Sequence, residues 1–267
     1  MTKTANQTLL IGGGNMGRAI LWGYKTNGGE MSNISIIDPF MDAQDATDLG
    51  IGALYRAYDD IPGDLKFATC VLATKPQVFE DASRPVSNVL SDDALIVSIM
   101  AGVTSARIIQ TIGRPVPVVR CMPNMAASVQ KSVNVAFATD ASRKDQFEAL
   151  FSGSGPVSWV DDEDDIHATT AVSGSGPAYF FAFVEAMGKA GELAGLDRQF
   201  AQDLAIDTLI GAAELLKQDR APAKLRESVT SKGGTTAAAL EQFAMHNNLN
   251  AIVMDAVMAA QSRSKEL

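Results

Sequence analysis

The stretch Thr8-Leu9-Leu10-Ile11-Gly12-Gly13-Gly14-Asn15-Met16-Gly17 decides how the rest of the chain is read. Four β-prone residues run into a glycine cluster and out into a helical stretch over 16–26. The glycines fall as G-x-G-x-x-G at Gly12, Gly14 and Gly17, between a predicted strand and a predicted helix, where that spacing marks a dinucleotide site. Gly12 permits the tight turn, Gly14 lets the backbone approach a pyrophosphate, and Gly17 allows the helix to pack closely on the strand. The first N–H groups of such a helix have no intrahelical acceptor and face the phosphates. Ile11, Gly13, Asn15 and Met16 share the turn and are candidate cofactor contacts with it. The competing reading is a glycine-rich turn that holds nothing.

Working outward, a second strand over 33–38 ends in Asp38, 21 residues after Gly17. A carboxylate there accepts hydrogen bonds from the ribose hydroxyls of NAD and repels the 2′-phosphate of NADP. Pro39-Phe40-Met41-Asp42 adds no base, so NADH is favoured over NADPH, with Arg56 and Lys75 as the cations that would favour the phosphorylated form. Further strands are expected over 67–74, 94–99 and 116–122. They are apolar runs without alternation, as strands buried on both faces of a parallel sheet read. A helix over 76–90 has Pro76 at its first position. Runs at 133–139 and 157–160, flanking a helix at 143–151, extend the sheet. The alternation predicts an α/β, doubly wound sheet of the Rossmann type.

Eight of the ten prolines lie at or before Pro156, so long helices are expected after them. Residues 178–193, 199–216, 236–245 and 248–262 are rich in Ala, Leu and Met at helical spacing. Their apolar positions cover more than one stripe, which predicts burial against neighbours on two sides, including a second subunit. The boundary is placed at residue 162, giving domains 1–162 and 163–267.

The 267 residues carry a net charge of −9, which opposes binding to nucleic acid or to an anionic membrane surface. No apolar run approaches the roughly 18 residues that span a bilayer, and a cytoplasmic location is expected. Cys70 and Cys121 sit far apart among apolar neighbours and read as buried free thiols. His167 and His246, the only histidines, accompany no nucleophile pattern and read as surface or helix-packing residues. The run Asp161-Asp162-Glu163-Asp164-Asp165 suits the start of a helix better than a metal site, so no metal is expected.

Two small-residue segments lie in the second part. Ser231-Lys232-Gly233-Gly234-Thr235-Thr236 opens a strong helix, and its N–H groups would suit a carboxylate. The plainer reading is that Thr235 caps that helix. Ser173-Gly174-Ser175-Gly176-Pro177-Ala178-Tyr179 would let a backbone or ligand approach closely.

Together with Ala73-Thr74-Lys75-Pro76, Ala101-Gly102-Val103-Thr104 and Val119-Arg120-Cys121-Met122-Pro123-Asn124, these motifs resemble the pyrroline-5-carboxylate reductase family from end to end. The resemblance implies hydride transfer from NAD(P)H to Δ1-pyrroline-5-carboxylate, a small imino acid, giving L-proline. It also implies a helical domain that forms an intertwined homodimer, sometimes built into rings of dimers, with the active site between a Rossmann domain and helices of both subunits. Thr74, Lys75 and Ala101 would join Ile11 to Met16 and Asp38 at the cofactor. Gly233, Gly234 and Thr235 would hold the substrate carboxylate, with Thr236 as the catalytic group near the ring nitrogen. Glu163 and Ser228 match positions of further substrate-binding groups.

The chain departs from the family pattern at Met125-Ala126, where Thr-Pro is usual, and at Lys232, where proline is usual. Two other readings therefore stay open: a related reductase of another small cyclic imine or hydroxy acid, and a regulatory protein that senses NAD without turnover.

Overall fold

A computed structural model describes residues 7–245 and 248–267, so His246 lies outside the described residues. Two compact units emerge: one runs through Ser175 and takes in Ala260–Leu267, and the other is Gly176–Ala259. The sequence places its boundary earlier, at residue 162. Residues between the two positions pack within the sheet unit, where Ile166 is buried with Met122 and Val135.

The first unit is built on β1 (Thr8–Ile11), β2 (Ile34–Ile37), β3 (Ala53–Tyr55), β4 (Phe67–Leu72), β5 (Leu90–Ser98), β6 (Val118–Met122), β7 (Asn134–Ala138) and β8 (Val157–Trp159). They form one sheet in the order β3-β2-β1-β4-β5-β6-β7-β8. The pairs from β3 to β6 are parallel, as the apolar strands predict. Successive side chains enter opposite cores: Leu9, Cys70 and Ile96 on one face, Leu10, Val71 and Leu95 on the other. Cys70 and Cys121 are both free and buried, and burial pushes both thiols far above their ordinary range.

Three local features differ from the sequence reading. β3 is an additional strand; it is half-buried and ordered by pairing with β2, a non-local constraint that its short sequence does not announce. The helix expected over 76–90 is broken into a 3₁₀ turn Pro76–Val78, a short helix and a second 3₁₀ turn Arg84–Asn88; Pro85 stops the short helix at Ser83. β7 runs antiparallel to β6, since the connection after Met122 holds only a 3₁₀ turn, Met125–Val129, rather than the helix a parallel crossover usually needs.

The helices of this unit are α1 (Asn15–Thr26), α2 (Ala43–Leu49), α3 (Phe79–Ser83), α4 (Ser105–Ile112), α5 (Lys144–Phe151) and α6 (Asp165–Thr169). Asp162 braces the turn before α6, its Oδ1 accepting from the Asp164 N–H at 2.9 Å. His167 on α6 is buried rather than at the surface, with Nδ1 2.9 Å from Ser264 Oγ. A π-turn, Thr170–Gly174, follows α6. Beside it the Thr170 and Ser173 hydroxyls donate to the carbonyls of Ile166 and Thr169, four residues back, and so compete for the acceptors of the helix ladder.

The second unit is all helical: α7 (Gly176–Leu193), α8 (Arg198–Gln218), α9 (Pro222–Ser228), α10 (Thr235–Ala244) and most of α11 (Asn248–Glu266). α7 and α8 lie close because Gly191 faces Ala201, where an added Cβ would stand 3.0 Å from the alanine's. Their outer faces are apolar and exposed, with Phe180, Phe181 and Leu193 at 60%, 57% and 82% accessibility. No helix among the described residues is long and apolar enough to cross a membrane.

The seat of α1 depends on Gly23. A Cβ there would lie 2.7 Å from the Gly153 carbonyl carbon and oxygen and the Ser154 nitrogen, all backbone atoms. Gly23→Ala should therefore destabilise the chain by about 1–3 kcal/mol through overpacking. Urea unfolding checks this, and an unchanged midpoint would show that the segment yields.

Candidate dinucleotide site

The loops at the carboxyl ends of β1, β4 and β5 are neighbours where the strand order reverses, and ligands of open α/β sheets bind at such a switch point. Gly12 opens the first loop with φ of +98°, and its N–H donates to Ile37 O at 3.0 Å. A Cβ on Gly12 would stand 2.8 Å from Ala73 O, so the loops after β1 and β4 touch only because that side chain is missing. A Cβ on Gly17 would meet Gly12 O at 2.8 Å, the close helix-to-turn packing that the spacing predicts. Gly14, the N-cap of α1, faces open space and caps with no side chain. The first N–H groups of α1 are thus left to a ligand, and the turn fits a pyrophosphate.

Asp38 closes the loop after β2 onto this turn. Its Oδ2 accepts from the Gly13 N–H at 2.7 Å, and its Oδ1 accepts from Phe40 and Met41 N–H groups at 2.7 and 3.0 Å. Three of roughly four acceptor positions are filled, leaving about one for a ribose hydroxyl. Arg56 reaches the same loop, its Nη1 donating to Asp38 O at 3.1 Å and Met41 O at 2.6 Å. Phe40 is 94% exposed beside them.

Ile11 is buried at the end of β1, whereas Asn15 is exposed and accepts from Arg18 Nη2 at 3.1 Å. Arg18 also pairs with Asp45 on α2. From Asn15 and Met16 an open cleft of about 600 Å³ runs past Trp22 to Met125 and Ser128. Met125, one of the departures from the family pattern, therefore lies in the same cleft as two candidate cofactor residues. Thr74 is half-buried, with its hydroxyl 3.5 Å from Met100 Sδ, and Lys75 is exposed. Ala101 is half-buried and precedes Gly102, whose φ is +75°.

Beneath the Ala101 loop lies a polar cluster that the sequence reading did not assemble. Glu163 Oε1 accepts from the Ser105 N–H at 2.7 Å and from Arg120 Nη1 at 2.8 Å, while Oε2 accepts from Ser105 Oγ at 2.5 Å. Burial alone would raise the Glu163 pKa, but the two Ser105 hydrogen bonds and the Arg120 guanidinium outweigh it and hold the carboxyl below its usual range. Arg120 is 1% exposed, and its Nε and Nη2 have no hydrogen-bond partner among the described residues. Removing Glu163 would leave an uncompensated buried cation, at a cost of about 3–5 kcal/mol. The available signal was an arginine inside the apolar strand Val118-Val119-Arg120-Cys121-Met122, because a buried charge demands a partner. Asn124 joins two quoted motifs, its Nδ2 donating to Ser173 O at 3.0 Å.

In the helical unit, Gly233 turns with φ of +73° and Gly234 is the N-cap of α10. Thr235 is the first helical residue, so it is not the cap, and no side chain caps that end. The first-turn N–H groups of α10 are available to an anion, with Thr235 exposed and Thr236 half-buried in that turn. Ser228 turns back on α9, its hydroxyl donating to Leu225 O at 2.7 Å. No group of three His, Cys, Asp or Glu that could hold a metal ion occurs among the described residues.

Comparison with known proteins brings these features together. The family model for pyrroline-5-carboxylate reductase dimerisation matches residues 163–267. The pyrroline-5-carboxylate reductase of Pseudomonas aeruginosa is 39% identical over 261 residues, covering 96% of this chain and 95% of the relative. The pyrroline-5-carboxylate reductase structure from Coxiella burnetii superposes with a TM-score of 0.88 at 33% identity, covering 98% of both chains. The Plasmodium falciparum enzyme, solved with NADP bound, shares the fold with a TM-score of 0.83 at 24% identity, covering 99% of both chains.

The buried imidazole near Arg120 gives a pH prediction. Burial, aided by the Arg120 charge and opposed by Asp164, lowers the His167 pKa. Below about pH 6.5 the unfolded chain takes up the proton first, so stability falls with acidification by up to about 1.4 kcal/mol per pH unit. His167→Gln should flatten that part of the stability profile, measured by chemical denaturation from about pH 7.5 to about pH 5.5. An identical slope in the variant would contradict a buried neutral histidine.

Proposed function

This chain belongs to the pyrroline-5-carboxylate reductase family, and from that membership we propose that it reduces Δ1-pyrroline-5-carboxylate to L-proline with a nicotinamide dinucleotide. The observation that carries the reading is the cradle at Gly12 to Gly17, with an uncapped helix start, open space at Gly14 and Asp38 tied to the Gly13 N–H. When bound, the cofactor supplies hydride from its nicotinamide ring to the C=N carbon of the substrate.

The protein's own part is binding, alignment and proton supply. The backbone of Ile11 to Met16 receives the pyrophosphate, and Asp38 the ribose, while Thr74, Lys75 and Ala101 border the nicotinamide. The N–H groups at Gly233, Gly234 and Thr235 hold the substrate carboxylate, supported by the uncapped start of α10. Thr236 orients the ring nitrogen, which enters protonated or receives its proton through water.

NADH is the preferred donor in this reading, because Asp38 places a carboxylate where a 2′-phosphate would lie. Arg56 favours a second reading, in which its guanidinium draws that phosphate in, since it already stands at the Asp38 and Met41 carbonyls. The working form is a homo-oligomer. A homodimer made through the helical unit, and rings of such dimers, are supported by the exposed Phe180, Phe181 and Leu193. A cytoplasmic location is supported by the free thiols of Cys70 and Cys121.

Loss of NADH absorbance with the imino acid supplied tests the activity. Thr236→Ala should lower kcat by about tenfold or more while NADH affinity stays within about twofold, and unchanged turnover would remove Thr236 from the mechanism. For the cofactor, kcat/KM with NADH should exceed that with NADPH by about tenfold, a difference of about 1.4 kcal/mol. A preference for NADPH that Arg56→Gln abolishes would establish the second reading instead.

A further inference from the structure

Glu163 matches a position at which the family resemblance implies a substrate-binding group, yet its carboxylate is turned to partners within the sheet unit. Three donors reach it: the Ser105 N–H at 2.7 Å, Arg120 Nη1 at 2.8 Å and Ser105 Oγ at 2.5 Å. About one acceptor position of four remains, as at Asp38, so occupancy alone does not set Glu163 apart; its partners do, a guanidinium only 1% exposed and the first residue of α4, both within the sheet unit. The three donors come from two other segments, because Ser105 begins α4 after the β5 loop and Arg120 lies in β6. Glu163 itself follows β8, so one carboxylate ties three parts of the sheet unit together.

What the carboxylate fixes is the exit of the loop that carries Ala101 and Gly102. The entrance is fixed separately: Ser98, paired with Arg120 across β5 and β6, accepts from the Met100 N–H at 3.3 Å. Between these anchors Gly102 turns with φ of +75°, and Leu267 packs so closely on it that a Cβ there would clash, so the loop is held at both ends and along its middle. Arg120 sharpens the constraint, since it is 1% exposed and, among the described residues, Glu163 is the acceptor of its one hydrogen-bonded nitrogen, Nη1. A buried guanidinium with this partner anchors the carboxylate in turn.

We propose that Glu163 is a positioning residue for the cofactor rather than a substrate contact: through Ser105 and Arg120 it sets the Ala101–Gly102 backbone against which the nicotinamide lies. This rests on the reading above that the Ala101 loop borders the nicotinamide. It assigns Ser105 and Arg120, neither of them a candidate site residue on sequence alone, to the same device. The negative charge at the first N–H of α4 also complements the positive end of that helix.

The test is direct NADH binding by the full-length protein, read from NADH fluorescence, alongside steady-state kinetics with the imino acid. Glu163→Gln should raise the NADH Kd by about tenfold and lower kcat, while the imino-acid KM stays within about twofold, because a misplaced loop loses alignment rather than substrate contacts. Glu163→Asp, which keeps the charge, should recover part of the affinity. Should Glu163→Gln fail to fold, Ser105→Ala leaves the ion pair in place and should raise the Kd in the same direction. A raised imino-acid KM with unchanged NADH Kd would overturn the proposal and make Glu163 a substrate ligand. Unchanged NADH Kd in both folded variants would overturn it as well. Failure of the wild-type protein to reduce the imino acid would refute the proposed reaction, yet the NADH Kd would still decide the role of Glu163.

Discussion

Two loops can share one crevice in this molecule only where a side chain is missing. A Cβ on Gly12 would stand 2.8 Å from Ala73 O, inside any tolerable contact, and the residue's φ of +98° is one that only glycine adopts freely. The β1 and β4 loops therefore meet at the switch point, α1 starts with its N–H groups uncapped, and Asp38 reaches the Gly13 N–H. Replace that hydrogen by a methyl group and the loops must part. The cradle for a dinucleotide follows from this single close approach, supported by a second one at Gly17.

The opposite kind of constraint holds the loop after β5. There the fold does not omit a group but buries one, an arginine inside an otherwise apolar strand. Burying a charge is tolerable only with a partner, and Glu163 supplies it from a segment 43 residues away in sequence. The charge pair thereby knits β6 to the start of α4 and to the turn before α6. Close backbone approach at β1 and charge pairing at β6 act on adjacent loops of one crevice.

The parts of this arrangement that the sequence announces are those set locally. Strand, glycine turn and helix from Thr8 to Thr26 follow from residue type and spacing, and the run from Ile34 to Asp38 follows from its apolar continuity and its terminal carboxylate. What depends on distant partners was not legible. β3 exists because Ser35, Ile36 and Ile37 pair with Ala53, Leu54 and Tyr55. The antiparallel course of β7 follows from a connection without a helix. Asp38 was readable as a ribose ligand, but not as the acceptor of three backbone N–H groups. Thr235 looked like a helix cap, whereas Gly234 occupies that position and leaves the helix end open. The motifs from Ile11 to Thr236 carried the family resemblance through their order, which no single motif could have done.

The central claim is hydride transfer to a cyclic imine, and isotope transfer tests it most directly. The protein is supplied with Δ1-pyrroline-5-carboxylate and NADH dideuterated at nicotinamide C4, and the product is analysed by mass spectrometry. The account predicts L-proline carrying one deuterium, on the ring carbon that was doubly bonded to nitrogen. Proline without deuterium at that carbon, or no proline at all, would contradict it.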